Sequence, residues 1–151
     1  EIHGVRFIDD SYNANPDSMK AALRTLVELD ADGKRIAVLG EMRELGSASE
    51  LAHRDVGETA ATFRIDQLIT IGDMAEVIAR GARAGGLEKT AAVRSTREAA
   101  ELLSEIAEPG DLILVKGSRS ARTEQVIEAF EHRYSLATPK PGEDGSVVTF
   151  P

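Results

Sequence analysis

Five short apolar runs punctuate the chain: Val5–Ile8, Ile36–Leu39, Leu68–Ile71, Ala91–Val93 and Leu112–Val115. Each is followed by a polar or glycine-bearing turn. None alternates strictly between apolar and polar positions, so the runs predict strands buried on both faces rather than half-exposed ones. Between them the period changes to that of a helix. Met19, Ala22, Leu23, Leu26 and Val27 recur at i, i+3, i+4, i+7 and i+8, a single apolar stripe. Asn15 is placed to cap this helix, Pro16 suits its first position, and Asp17 favours the positive end of its dipole. Ser47-x-x-Glu50 and Ser95-x-x-Glu98 have the form of capping boxes for the second and fourth helices. A third helix is predicted over Met74–Ala84, stopped by Gly85-Gly86. The fifth presents Val126, Ile127, Phe130 and Tyr134 on one face.

Strict alternation of strand and helix implies parallel pairing through right-handed crossovers, with helices on both faces of the sheet. The expectation is a three-layer, Rossmann-like α/β domain over residues 1–136, with a mostly parallel sheet of five to six strands. The Pro/Gly/charge stretch ATPKPGEDG then breaks any helix. Residues 137–151 read as a tail in which Val147–Phe150 supplies a possible edge strand. No repeat of fixed period and no second domain is evident. The chain opens with Glu1 rather than Met, which suggests a fragment of something longer.

Composition narrows the function classes. Apolar residues make up 42% but aromatics only 4%, so the core must be built from Val, Ile, Leu and Ala. The chain has no cysteine, which excludes disulfides and thiol chemistry and is compatible with a reducing cytosol. With 18 basic against 26 acidic residues the net charge is −8, which argues against a broad nucleic-acid or anionic-membrane face. The apolar runs fall far short of the ~20 residues of a membrane helix.

In open α/β sheets, ligands gather outside the carboxyl ends of the strands. Three clusters lie there. The first is IDDSYNANPDSM, Ile8 to Met19, far more polar than a strand-to-helix turn requires. Asp10 has two readings: a carboxylate that accepts ribose hydroxyls or a metal-bound water, or a turn former that bonds nearby amides. Asn13 and Asn15 compete for the same few amides, which favours a ligand. Tyr12 either stacks on a flat ligand such as a nucleobase or plugs the gap between turn and sheet. Asp9 alternates to the opposite side and reads as structural or solvated.

The second cluster is LVKGSRSAR, Leu114 to Arg122, where a strand runs into Gly117, hydroxyls, two arginines and a helix. Free N–H groups with Ser and Arg make an anion or carboxylate clamp. The plainer reading is a glycine turn with Ser118 or Ser120 as N-cap. A complete phosphate loop, G-x-x-x-x-G-K-[ST], is absent from the chain. The third cluster, LGEMRELG from Leu39 to Gly46, is a loop bracketed by glycines that either closes on a ligand through Glu41 or Arg43 or simply connects. His53 in the following helix reads as a packing or capping residue. With His3 and His132 scattered, no metal-ligand spacing is present.

Together, IDDSYNANPDSMKAAL, VLGEMRELG and LILVKGSRSARTEQV resemble the C-terminal domain of the Mur ligases, from about Val5 to Tyr134. The DSYNANP turn points within that family to the member that joins D-Ala-D-Ala to UDP-MurNAc-tripeptide. The resemblance implies a cytoplasmic, three-domain ligase of cell-wall precursor synthesis. In it, ATP phosphorylates the substrate carboxylate, and the dipeptide amine attacks the acyl phosphate. It implies Mg²⁺ held mainly by a central domain absent from this chain, and no metal ligands or catalytic residues within this domain alone. By resemblance, Asp10, Tyr12, Asn13 and Asn15 form a nucleotide-binding wall. Ser118 and Arg119, with Ser120, hold the dipeptide or the phosphate end. The implied partners are the two substrates and the protein's own N-terminal and central domains. Glu41 stands where the resemblance leads one to expect Asp.

Two rival readings accompany this one. A phosphorelay receiver would use Asp9 and Asp10, Asp73, Ser95 or Thr96, and Lys116, all of which follow or end predicted strands. The NPDSM segment, Gly117 and the long gap to Asp73 fit it poorly. The other rival is a non-catalytic binding or assembly module.

Overall fold

The computed structural model describes residues 1–11 and 14–137. Residue parity along the central strands sorts side chains into two cores. In β2 (Arg35–Gly40), Ala37 and Leu39 enter one core while Ile36 and Val38 enter the other. In β5 (Leu112–Lys116), Leu112 and Leu114 separate in the same way from Ile113 and Val115. Both strands are buried almost throughout, as their unbroken apolar runs require. β1 (Arg6–Asp10), β3 (Gln67–Ile71) and β4 (Thr90–Val93) complete a five-stranded sheet of order β1-β5-β2-β3-β4, with every pairing parallel.

Helices α1 (Pro16–Glu28), α2 (Ser49–Thr62) and α3 (Ala75–Ala84) cover one face. Helices α4 (Thr96–Ile106) and α5 (Glu124–Ala137) cover the other. The first three crossovers advance across the sheet in one direction and the fourth returns, which sends α4 to the opposite face when all are right-handed. The predicted three-layer α/β architecture therefore stands, with five strands among the described residues. Tyr12, Asn13, the Tyr134 side chain and the Val147–Phe150 strand lie outside the described residues.

Helix starts differ instructively from expectation. Asn15 does cap α1: its Oδ1 accepts the Ser18 N–H at 2.9 Å, and Ser18 Oγ accepts the Asn15 N–H at 3.0 Å. Ser18 thus serves where a Glu is more usual. Ser95 caps α4 by accepting the Glu98 N–H, but the Glu98 carboxylate accepts the Arg94 N–H instead of the Ser95 one. The box expected at Ser47 does not form. A 3₁₀ turn over Gly46–Ala48 feeds α2 directly, and Ala48 is already helical (φ −84°, ψ −3°), so no extended N-cap residue exists.

α2 and α3 pack in close contact through glycines that the apolar pattern did not single out. A Cβ on Gly57 would lie 2.0 Å from the Ile78 carbonyl oxygen, and one on Gly81 would lie 2.1 Å from that of Arg54. At the opposite end of the sheet from the clusters described above, the carboxylate of buried Asp111 ties its own turn to the start of β2. Its Oδ1 accepts the Lys34 N–H at 2.7 Å, its Oδ2 accepts the Glu108 N–H at 2.9 Å, and Lys34 Nζ lies 3.1 Å from Oδ2.

Candidate functional site

The register of β1 on β5 sets Asp10 directly beside Lys116. Both share parity with Leu112 and Leu114, so both project toward the α1 side of the sheet. Lys116 Nζ donates to Asp10 Oδ2 at 2.8 Å; the lysine side chain is 2% exposed and the aspartate 48%. Asp9 and Asp10, expected in the turn, are the last two residues of the strand. Asp9 is exposed and accepts the Ser11 hydroxyl at 2.6 Å, as its solvated reading anticipated.

Lys116 leads into Gly117 and Ser118. Protein atoms already occupy the space that a side chain at Gly117 would need. A Cβ there would lie 2.7 Å from Thr123 Cγ2 and 3.1 Å from Gly40 Cα. A Cβ on Gly40 would lie 2.8 Å from the same methyl. The glycine pair lets fully buried Thr123, just before α5, seat on the ends of β2 and β5. Thr123 Oγ1 has no hydrogen-bond partner among the described residues. Ser118 is also buried; its N–H donates to the Glu41 carbonyl at 3.2 Å, and its Oγ shares a 3.2 Å hydrogen bond with Ser120 Oγ. Arg119 and Ser120 are exposed on a 3₁₀ turn over Arg119–Ala121.

The Glu41–Met42 loop is pinned from below by His53. The Met42 N–H donates to His53 Nε2 at 2.9 Å, and His53 Nδ1 lies 2.6 Å from the Ser49 carbonyl. These contacts fix the tautomer with the proton on Nδ1. His53 is fully buried, so it is the packing and positioning residue that its place in the helix suggested.

A second feature lies further along the same edge. Beyond the ends of β2, β3 and β4 is a hollow of about 260 Å³. Its polar lining includes Glu41, Arg43, Arg94, Thr96, Ser120 and Arg122. Arg43 pairs with Glu41 at 3.0 Å, and Glu41 packs over Gly72, whose φ of +105° only glycine adopts comfortably. Because α2 and α3 leave β2 and β3 on one face while α4 and α5 leave β4 and β5 on the other, crevices open beside β5 and between β3 and β4. Such switch points are where parallel α/β sheets take ligands. Asp10, Lys116 and Ser118 stand at the first and Gly72 and Arg94 at the second.

Of the predicted site residues, Asp10 and Ser118 come to neighbouring strand ends. Asn15 has its Oδ1 engaged in the α1 cap, and Ser120 lines the hollow. The nucleotide wall and the clamp expected from the sequence did not include Lys116 as Asp10's partner or Arg94, whereas Arg122 was one of the clamp's two arginines. The Lys116 signal was its parity with Leu112 and Leu114; its partner depended on a strand order that the sequence does not state.

The receiver reading is overturned here. It needs the first and third strands as neighbours, as in the order 2-1-3-4-5. In this sheet β5 and β2 intervene, so Asp73 lies about 14 Å across from Asp10 at ordinary strand spacing. Among the described residues no group of three or more His, Cys, Asp or Glu side chains is arranged to hold a metal ion. Asp10 is already bonded to an ammonium. The described residues therefore do not fit a resident Mg²⁺ site.

The fold and this edge define a parallel α/β domain with an acid–ammonium pair at one crevice and a basic hollow at the next. The sequence pattern described as the Mur ligase, glutamate ligase domain, matches residues 1–119, and the chain belongs to that family. The UDP-N-acetylmuramoyl-tripeptide–D-alanyl-D-alanine ligase of Escherichia coli is 42% identical over 127 residues, 82% of this chain and 26% of that protein. The Bacillus subtilis enzyme of the same name is 35% identical over 126 residues, 83% of this chain and 28% of that protein. The crystal structure of the Thermotoga maritima MurF ligase in complex with ADP superposes with a TM-score of 0.77 at 30% identity, over 91% of this chain and 30% of that one. The chain thus spans little more than a quarter of the length of these curated relatives.

Proposed function

We propose that this chain is the C-terminal domain of an ATP-dependent ligase that joins D-Ala-D-Ala to UDP-MurNAc-tripeptide in peptidoglycan precursor synthesis, in the cytoplasm. The observation that carries the proposal is the 42% identity to the E. coli ligase of that name across 82% of the chain. The N-terminal and central domains lie outside these 151 residues. A carboxylate is a poor electrophile until its oxygen becomes a good leaving group, so ATP first converts the tripeptide carboxylate to an acyl phosphate. The dipeptide amine then displaces phosphate. Water must be kept from that intermediate, and this domain closes over it as a lid.

In this reading Asp10 accepts hydroxyls of the nucleotide's ribose, with Lys116 holding its carboxylate in place. Tyr12, Asn13 and Asn15 line the same wall. Ser118, Arg119 and Ser120 face the dipeptide or the phosphate being released. Mg²⁺ and the phosphate cradle belong to the central domain, because this chain carries neither a metal-ligand group among its described residues nor a phosphate-loop sequence. The test is turnover by the full-length protein: phosphate release that requires ATP, UDP-MurNAc-tripeptide and D-Ala-D-Ala together supports it. Phosphate release independent of the dipeptide defeats it.

A further inference from the structure

We propose that His53 is a positioning residue for Ser118, acting through the single peptide unit that joins Glu41 to Met42. The inference rests on the ligase reading, in which Ser118 faces the reacting ligands. It adds a residue that no ligand reaches, since His53 is fully buried.

The geometry turns on one rigid plane. The Glu41 carbonyl and the Met42 N–H are the two polar groups of the same amide, which is planar and projects them to opposite sides. On one side the carbonyl accepts the Ser118 N–H at 3.2 Å. On the other the N–H donates to His53 Nε2 at 2.9 Å. A rotation of this plane about the line between its two Cα atoms moves both groups together. The bond to His53 therefore sets the direction in which the carbonyl meets Ser118.

The chain of bonds continues through the imidazole. His53 Nδ1–H donates to the Ser49 carbonyl, 2.6 Å away in the first turn of α2. Every donor points the same way, from Ser118 through the peptide and the ring to α2. Hydrogen bonds aligned head to tail polarise and strengthen one another. A neutral imidazole suits this place because it accepts at one ring nitrogen and donates at the other. Met42 is 3% exposed, so an apolar residue in place of His53 would leave its N–H buried without an acceptor. The peptide would then gain by turning toward another partner, and Ser118 would lose its own.

The relay stands where the sheet stops supporting the two loops. The ladder between β2 and β5 ends at Leu39 and Lys116, and the bond from Ser118 to Glu41 lies beyond it. Gly40 and Gly117 intervene, with no side chains of their own to hold the loops in place. Ser118 Oγ in turn shares a 3.2 Å hydrogen bond with Ser120 Oγ. The position set by the peptide plane thus extends to the 3₁₀ turn over Arg119–Ala121.

The experiment uses the full-length protein with His53→Ala, His53→Gln, Ser118→Ala and the double variant His53→Ala with Ser118→Ala. If His53→Ala does not fold, His53→Leu, which keeps bulk without an acceptor, takes its place. Hydrogen exchange of His53→Ala should show protection falling at Met42 and Ser118 together, by about fivefold at Ser118, as for one lost neutral hydrogen bond. His53→Gln, whose amide oxygen can accept from Met42, should restore part of it. kcat/KM for D-Ala-D-Ala should fall about tenfold or more in His53→Ala, as for a misplaced contact group, and recover in part in His53→Gln. In the Ser118→Ala background the same His53 change should cost much less, because the two residues act in one chain. Unchanged protection at Ser118 while Met42 loses its own overturns the inference. So do effects of the two changes on kcat/KM that simply multiply, which is what general destabilisation produces. If wild type forms no product with the dipeptide, the ligase reading fails, while exchange at Ser118 still decides whether His53 positions it.

Discussion

Asp10 and Lys116 end neighbouring parallel strands in matched register and are joined by a 2.8 Å hydrogen bond, with the lysine almost fully buried and the aspartate half exposed. The two ends of this bond are not equivalent. A carboxylate at the surface rehydrates when its partner is removed, whereas a buried ammonium cannot. Asp10→Ala should therefore cost about 1.5–3 kcal/mol, the range for a hydrogen bond to a charged group. Lys116→Met, which keeps similar volume, should cost less than about 1.5 kcal/mol. Urea denaturation of both variants checks the order; a larger loss for Lys116→Met would contradict it.

The contact of Gly40, Gly117 and Thr123 predicts a rescue. Gly117→Ala drives a methyl to within 2.7 Å of Thr123 Cγ2 and should destabilise by about 1–3 kcal/mol. Thr123→Ser deletes that methyl and alone should cost about 1 kcal/mol. The double variant should be more stable than the sum of the two losses allows, because the pair is in direct contact. Additive losses would show that the clash with Gly40 Cα, at 3.1 Å, dominates instead.

His53 predicts a local effect. Replacing it with Ala removes the acceptor for the buried Met42 N–H and the donor to the Ser49 carbonyl. Hydrogen exchange should lose protection at Met42 far more than at the β3 amides, since the loop opens without unfolding the sheet. Uniform loss of protection would mean that His53 supports the whole fold rather than the loop carrying Glu41 and Arg43.

Lys34 predicts a response to alkali. Its pKa is raised above the ordinary lysine value: burial, the largest single influence, pulls it down, but the Asp111 hydrogen bond and the Asp111 and Glu108 charges together outweigh this. A folded-state pKa above the unfolded one gives stability that is complete below the unfolded value, about 10.4 for lysine. That stability is lost as pH rises through the folded value. Denaturation midpoints measured between pH 9 and 12 should fall more steeply for wild type than for Lys34→Met. Parallel curves would exclude this contribution.

Much of this fold was legible because the chain's two periods are clean. Apolar runs without alternation gave strands buried on both faces at β2, β3 and β5, but β1 and β4, expected to be buried likewise, are the edges of the sheet and are only partly covered. The stripe from Met19 to Leu26 is buried as its spacing required. Strand order was not legible. Nothing local tells Asp10 that its neighbour is Lys116, more than a hundred residues on, and that pairing decides both the site and the fate of the receiver reading. Capping was half legible: Asn15 and Ser95 cap, but Ser47 does not, because a preceding 3₁₀ turn had already set the helical backbone. Gly57 and Gly81 escaped notice since a glycine inside a helix announces weakness, not the helix contact that fills its space.

The most direct test of the ligase assignment is product formation by full-length protein and by residues 1–151 alone, each supplied with ATP, Mg²⁺, UDP-MurNAc-tripeptide and D-Ala-D-Ala. The full-length protein should yield UDP-MurNAc-pentapeptide with one phosphate released per peptide bond, and the 151-residue chain, which lacks the phosphate loop, should yield none. Product from the isolated chain, or none from the full-length protein, would contradict the account.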